Sequence, residues 1–450
     1  MFRETGLFRR HDSSYMSRPR FTNALTATTV GTYALVVLGA TTAALESSAT
    51  VAALHHLLAV AVGASLAFVV WRAWDETDAR GVRAPIGIAA LLYPVQAGIG
   101  AATYGGAPLE SAHLMLAMTI FAALLVALVQ HLDAAQLADS IERPDRSEST
   151  PDPAPSRAEN ELVATVRAYL TLTKPRLMWL LCLLALGGMG LAAATGAPLE
   201  GTTVAATLGG GILAVGASGT FNHLYERDRD QQMDRTAGRP LGTGRVTPLG
   251  AACFGTGLAV SSIAVMVVFV NLLAAALTVA AILYYSVVYT VVLKPNTTWS
   301  IAIGGGSGAL PAVIGWAAVT GGIGIPALLL AAVVVFWTPS HFYNLGIAHR
   351  DDYGAASYPM VPVVHGIAPA RRRIGYALGA TLLTAAALGA VVDLGAVYAA
   401  AIVAGAAIFV LSIVRQYRDP TYAATMRSFH ASNAFLGLLL VAILVETLFV

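Results

Sequence analysis

Asn222, Glu226 and Asp230 recur every four residues in the run NHLYERDRDQQMDRTAGRPLGTGR, residues 222–245. On a helix that spacing lines them along one face, each about 6 Å from the next. Three oxygen-bearing side chains in a row suit a hard divalent cation such as Mg2+, which is commonly shared with substrate phosphates. Arg235 and Arg239 follow closely, and guanidinium forks match phosphate geometry. The run also reads as a solvated loop that neutralises its own charge, and spacing alone does not choose between the two. A second acidic pair, Asp351 and Asp352, lies in FWTPSHFYNLGIAHRDDYGAASYPMVPVV, residues 336–364. Two acidic helix ends facing each other across a cavity would hold two Mg2+ on one diphosphate and neutralise its charge as a C–O bond breaks.

Only two of the 27 basic residues are lysines, Lys174 in LTKPR and Lys294 in LKPNTT. A compact ammonium is a good point-charge partner for phosphate. A juxtamembrane anchor is the competing reading, and for Lys294 it weighs at least as much.

The elements that must position these residues are membrane helices. Of 450 residues, 56% are hydrophobic and 12% charged, about half the charge density of a soluble domain, and the mean hydropathy is +0.68. A spanning helix needs about 20 apolar residues. Four such runs lie near 22–44, 51–71, 84–104 and 110–132. Nine more follow near 177–195, 203–224, 251–270, 273–292, 300–318, 326–347, 373–391, 394–414 and 432–449. The intervening stretch 133–165 is rich in Pro, Ser and acidic residues, and its composition predicts a disordered cytoplasmic linker. With thirteen spans, every Lys and Arg falls on one side, which the positive-inside rule makes cytoplasmic. A wrong count would scatter them. Residues 1–20 are polar and Arg-rich ahead of the first run, which reads as an uncleaved anchor with a cytoplasmic N-terminus in the cell membrane. Cys182 and Cys253 lie in apolar runs without CxxC spacing and read as packing residues.

LTKPR before a span, then NxxxExxxD followed by MDRTAGRPL, then WTPSHF, DDY and YPMVPVV, together resemble the UbiA-type intramembrane prenyltransferase superfamily. Within it, the Arg235–Thr236–Arg239–Pro240 run, IGGGSGALPAVIGW at 303–316 and the segment from Trp337 to Phe342 are similar to the branch that farnesylates protohaem IX. The resemblance covers about 165–450 and implies a nine-helix bundle over 166–450. It implies that Asn222, Glu226 and Asp230 form one Mg2+–diphosphate motif and Asp351 with Asp352 the other, with Glu226, Asp230 and Asp352 as metal ligands. Lys174, Arg176, Arg235 and Arg239 would hold diphosphate oxygens. The implied reaction joins farnesyl diphosphate to a vinyl group of haem B. Loss of diphosphate makes an allylic cation, the vinyl carbon attacks it, and water captures the product cation. An apolar cavity would dissolve the farnesyl tail and shield the cation. His341, in an apolar helix, reads either as a hydrogen-bonded structural residue or as a porphyrin contact. Ser340 and Ala312 stand where the family usually has a second proline, and Pro295 and Asn296 replace a basic pair, which weakens Lys294 as a substrate contact.

Residues 1–132 fall outside that pattern. HHLLAVAVGASLAFVVWRAW and YPVQAGIGAATYGGAPLESAHLMLAMTIF resemble half of a haem A synthase, whose four-helix unit binds haem through paired histidines. His55, or its neighbour His56, and His113 would then be axial ligands in a four-span bundle; an inert scaffold is the alternative. Haem A synthase or haem–copper oxidase assembly proteins would be partners of such a fusion. Rival functions are prenylation of a quinone precursor or an ether lipid, a transporter, and a haem-binding membrane anchor. The transporter reading meets spans nearly free of ionisable residues, with the charge gathered at one face.

Overall fold

The apolar runs fold as helices throughout. The computed structural model describes residues 14–44, 49–77, 79–102, 107–140 and 161–448. In order these are α1 (Ser14–Ala44), α2 (Ala49–Glu76), α3 (Arg80–Ala102), α4 (Ala107–Ser140), α5 (Glu161–Leu172), α6 (Pro175–Ala193), α7 (Gly201–Asp230), α8 (Pro248–Phe269) and α9 (Leu272–Leu283). A π-helical segment, Tyr284–Leu293, continues α9 into the single turn α10 (Lys294–Asn296). Then come α11 (Ser300–Thr320), α12 (Ile325–Ala348), α13 (Arg350–Ala355), α14 (Val361–Val364), α15 (Ile367–Val392), α16 (Ala396–Arg418) and α17 (Tyr422–Leu448). Among the described residues thirteen helices are long and apolar enough to cross a membrane, the number expected. Without water in the hydrocarbon layer every backbone group must bond within its own segment, which an all-helical bundle achieves.

Most helices run beyond the expected spans, although α6 stops at Ala193 and α16 starts at Ala396, each two residues inside. The last span begins at Tyr422 rather than near 432, so Arg427 belongs to the helix. Long basic side chains reach the interface from within a helix, which is why charge alone misplaces such a boundary. The stretch expected as a linker over 133–165 is helical at both ends, since α4 runs to Ser140 and α5 starts at Glu161; its middle, and the polar N-terminus, lie outside the described residues. Cys253 is exposed on α8 rather than packed.

Packing follows small residues. α6 and α11 meet backbone to backbone: a Cβ on Gly188 would overlap the Ala312 carbonyl, and one on Gly315 that of Ala185. Close approach of this kind replaces the missing hydrophobic drive between helices in lipid. α12 packs on α11, α15 and α17, while α7 packs on α8. α1–α4 pack on one another, and α1 and α4 attach to α15 and α16. Tyr33 of α1 spans that junction, donating a hydrogen bond to the Leu382 carbonyl at 3.1 Å. α2 and α3 lie at the periphery, with Leu57, Leu91 and Val60 exposed toward lipid.

Candidate active site

Every sequence-derived acidic residue sits at one end of the bundle. The last turns of α7 present Asn222, Glu226 and Asp230 inward, all buried. A buried carboxylate needs a partner, because removing it from water costs several kcal/mol. Here each has one. Glu226 pairs with Lys294 at 2.5 Å. Asp230 pairs with Arg239 at 2.7 Å and lies 3.9 Å from the His223 ring. Asn222 accepts a hydrogen bond from the Lys174 ammonium and donates to the Thr290 hydroxyl at 3.0 Å.

Two backbone devices deliver the lysines. Lys174 caps α6 ahead of Pro175 and takes a left-handed conformation, φ 54° and ψ 55°. For a residue other than glycine this conformation is strained, and such strain concentrates at functional sites. It lets the ammonium reach both Asn222 and the Tyr285 hydroxyl, 3.2 Å away. The π-helical segment is the second device. Its wider turn sets Tyr285 and Thr290, five residues apart, on one face, with the Thr290 hydroxyl donating to the Tyr285 carbonyl at 2.8 Å. Single π turns cluster at functional sites; this one ends on Lys294.

The second acidic motif joins the first through the loop between α7 and α8. The Asp234 backbone N–H donates to the Asp352 carboxylate at 3.2 Å. Arg235 lies over the Tyr353 ring at 6.0 Å, and Lys294 over the Tyr358 ring at 4.5 Å. His349 lies 4.0 Å from Asp352. Burial first, then the Arg235 charge, lowers the His349 pKa despite that carboxylate. The imidazole is therefore neutral near pH 7. Asp351, its neighbour, is exposed.

Three expectations need adjustment. Arg176 is exposed on the first turn of α6, and no hydrogen bond or ion pair ties it to the acidic cluster among the described residues. Glu226, Asp230 and Asp352 do not converge on one point: no group of three such side chains is close enough to hold an ion by itself among the described residues. Their oxygens suit a hard cation, and one buried Asp230 oxygen has no hydrogen-bond partner. The residues present therefore fit magnesium only where a bound diphosphate completes the coordination. His341 is enclosed: Trp337 stacks on one face at 4.3 Å and Phe429 at 4.2 Å, and its Nδ1 meets the Ser432 hydroxyl at 2.8 Å. That is a packed structural histidine with no face open to a porphyrin. Lys294 is the residue sequence reasoning undervalued. Its rarity was the available signal, one of two lysines in the chain.

His55 and His113 lie at the other end. Asp133 of α4 pairs at 3.4 Å with Arg372, which follows the second acidic motif in α15. His113 is about 30 Å further along α4 at 1.5 Å per residue. The two imidazoles are close enough to influence each other electrostatically. His55 packs against Gly39 of α1 and His113 against Gly100 of α3, where any Cβ would crowd the ring. One nitrogen of each, Nδ1, is buried without a hydrogen-bond partner.

An all-helical bundle of membrane-length helices that brings two acidic motifs together at one end is a membrane protein built around a polar site, and comparison with known proteins identifies its class. Residues 181–439 match the UbiA prenyltransferase family; the chain belongs to that family. It is 54% identical to protoheme IX farnesyltransferase 2 of Natronomonas pharaonis over 434 residues, 95% of this chain and 99% of that protein. It is 46% identical to the protoheme IX farnesyltransferase of Halobacterium salinarum strain R1, over 96% of this chain and 98% of that one. The solved structure of a digeranylgeranylglyceryl phosphate synthase shares the fold, with a TM-score of 0.53 and 13% identity over 64% of this chain and all of the other.

Proposed function

We propose that the protein transfers the farnesyl group of farnesyl diphosphate to a vinyl group of haem B with hydration, giving haem O and diphosphate, at the cytoplasmic face of the cell membrane. The observation that carries the reading is the meeting of the two acidic motifs through Asp234 and Asp352 at 3.2 Å. Glu226 and Asp230, with Asp352 across the loop, would hold magnesium on the diphosphate. The metal, when bound, neutralises the charge that develops on the leaving group. Lys174, Lys294 and Arg239 already pair with the buried Asn222, Glu226 and Asp230, so substrate oxygens arrive at cations held in place. The apolar helices around the site keep bulk water from the allylic centre. Full-length relatives in two organisms carry the farnesyltransferase name, and haem B is the acceptor that name supplies.

Purified protein incubated with haem B, farnesyl diphosphate and Mg2+ is expected to yield the farnesylated product by mass. Glu226→Gln and Asp230→Asn should each lower turnover by at least about 100-fold while the protein still inserts. Full activity in both variants sinks the site assignment.

The histidine pair supports a second role, haem binding by residues 1–132, as a bundle that stores or delivers haem. Two imidazoles near enough to influence each other, each with one buried, unpartnered nitrogen, suit axial ligation. A bis-histidine absorption spectrum in haem-loaded protein, lost in His55→Ala and in His113→Ala, is the expected result. A spectrum unchanged in both variants rejects the assignment.

A further inference from the structure

α5 is not a spanning helix, yet its outer face is apolar. It has twelve residues, too few to cross a bilayer. Leu162, Val163, Val166 and Leu170 are each half exposed or more. On a helix these positions form one stripe, on the side away from the buried Ala168 and Leu172. A row of large aliphatic side chains facing outward marks a surface that meets something apolar.

Two contacts fix the depth of α5. α7 runs for 30 residues, Gly201–Asp230, of which about 20 cross the hydrocarbon layer. Counted from Gly201, α7 leaves that layer near Gly219, and a Cβ on Gly219 would crowd the carbonyl of Leu172, the last residue of α5. α6 starts its span at Pro175, with Leu177 and Trp179 of its first turns exposed. Tryptophan gathers where membrane meets water. Tyr169 of α5 packs edge-on against Phe254 of α8 at 5.0 Å, and Leu249 in the first turn of α8 is 75% exposed. The stripe therefore lies level with the lipid-facing first turns of α6 and α8.

The inner face of α5 meets the site. Ala168 and Leu172 share a buried cluster with Leu241 and Val246, which lie in the 231–247 loop that also carries Arg239, the partner of Asp230. Lys174 follows closely on the end of α5, and its ammonium reaches Asn222.

We propose that α5 lies in the plane of the membrane interface with its stripe among the acyl chains of the leaflet on the active-site side, and that this lipid contact holds the 231–247 loop and Lys174 over the acidic cluster. The loop cannot swing away without drawing the stripe of α5 into water, which the hydrophobic effect opposes. The effect on turnover rests on the farnesyl-transfer reading above; the depth of α5 does not.

The test uses full-length protein in phosphatidylcholine nanodiscs, in a Cys182→Ala/Cys253→Ala background. A nitroxide is attached to a single cysteine introduced as Val166→Cys, Leu170→Cys, Thr165→Cys or Thr171→Cys. Relaxation by dissolved oxygen is expected to exceed relaxation by a water-soluble nickel chelate at 166 and 170. The order should reverse at 165 and 171, where the threonines are exposed on the flanks of the stripe. A chelate that dominates at all four positions puts α5 in water and overturns the proposal. Protection from both reagents at 166 and 170 means that a second copy or another protein covers the stripe, which overturns it equally. The coupling is read in Val166→Ser/Leu170→Ser, where trypsin cleavage after Arg235 and Arg245 should quicken at least about tenfold, the equivalent of 1.4 kcal/mol in the open population. KM for farnesyl diphosphate should rise in the same variant, while Val166→Ile/Leu170→Ile, which keeps the stripe apolar, should match wild type in both. Cleavage equal in the serine variant and wild type refutes the hold on the loop. If wild type yields no farnesylated product while the depth and cleavage results stand, the farnesyl-transfer reading fails and the lipid contact remains.

Discussion

Lys294 and Glu226 form an ion pair of 2.5 Å, across 68 residues of sequence, with both side chains nearly sealed from solvent. The pair joins the end of the π-helical segment to the face of α7, so it fixes two walls of the site at once. Removing one member leaves the other charged and alone. Lys294→Met should destabilise the folded bundle by about 3–5 kcal/mol, while Lys294→Met/Glu226→Gln should regain most of that stability and none of the activity. Unfolding of the two variants in parallel checks this; equal stability of single and double variants would contradict it.

Asp351 and Asp352 are adjacent in sequence and unequal in structure. Asp352 accepts the Asp234 N–H, whereas Asp351 is exposed. Asp352→Asn should cut kcat/KM by about 100-fold or more, the scale of losing one charge that stabilises a transition state. Asp351→Asn should stay within about twofold, as surface changes do. Steady-state kinetics on both variants decide it, and equal losses would mean the two share the role.

Much of this was readable from residue types. Lipid forces helices, so span number followed from apolar length, and the four-residue spacing of Asn222, Glu226 and Asp230 put them on one face, where the structure buries all three. What the sequence hid depended on local backbone geometry. Pro295 and Asn296 after Lys294 looked like a broken motif, yet the π segment Tyr284–Leu293 aims that lysine at Glu226, and no periodicity signals a π turn. The left-handed Lys174 precedes a proline, a context that usually favours extended backbone. Arg176 and His341 went the other way. Both have the right chemistry, but one is exposed and the other is sandwiched between Trp337 and Phe429, which only packing reveals.

Thr290 is the small residue on which that backbone device turns. Its hydroxyl donates to the Tyr285 carbonyl and accepts from Asn222, and Asn222 in turn receives Lys174. Thr290→Val keeps the shape and leaves the buried Asn222 amide without its acceptor, a loss of about 1–3 kcal/mol. KM for farnesyl diphosphate should rise as Lys174 loses its anchor, and Thr290→Ser should behave as wild type. If Val and Ser variants have the same KM, the hydroxyl does not position the lysine.

The junction of α4 with α15 and α16 is polar where most of the interior is apolar. Asp133 faces Arg372 at 3.4 Å, and the buried Arg371 guanidinium lies 5.6 Å over the Tyr417 ring. Arg371 is buried and Arg372 beside it is exposed, so Asp133 is the counter-charge to the positive end of α15 that permits α4 to dock. Asp133→Asn should lower the midpoint of thermal unfolding by several degrees, since about 1 kcal/mol shifts a domain by roughly 2–4 °C. Farnesyl transfer measured well below that midpoint should be unchanged, because Glu226, Asp230 and Asp352 lie on other helices. Replacing Arg372 by Gln in the same background should return part of the lost stability by removing one of the unbalanced charges. Unfolding curves of wild type, Asp133→Asn and Asp133→Asn/Arg372→Gln settle the matter: a double variant no more stable than the single one would mean that the ion pair contributes geometry rather than charge balance to the junction.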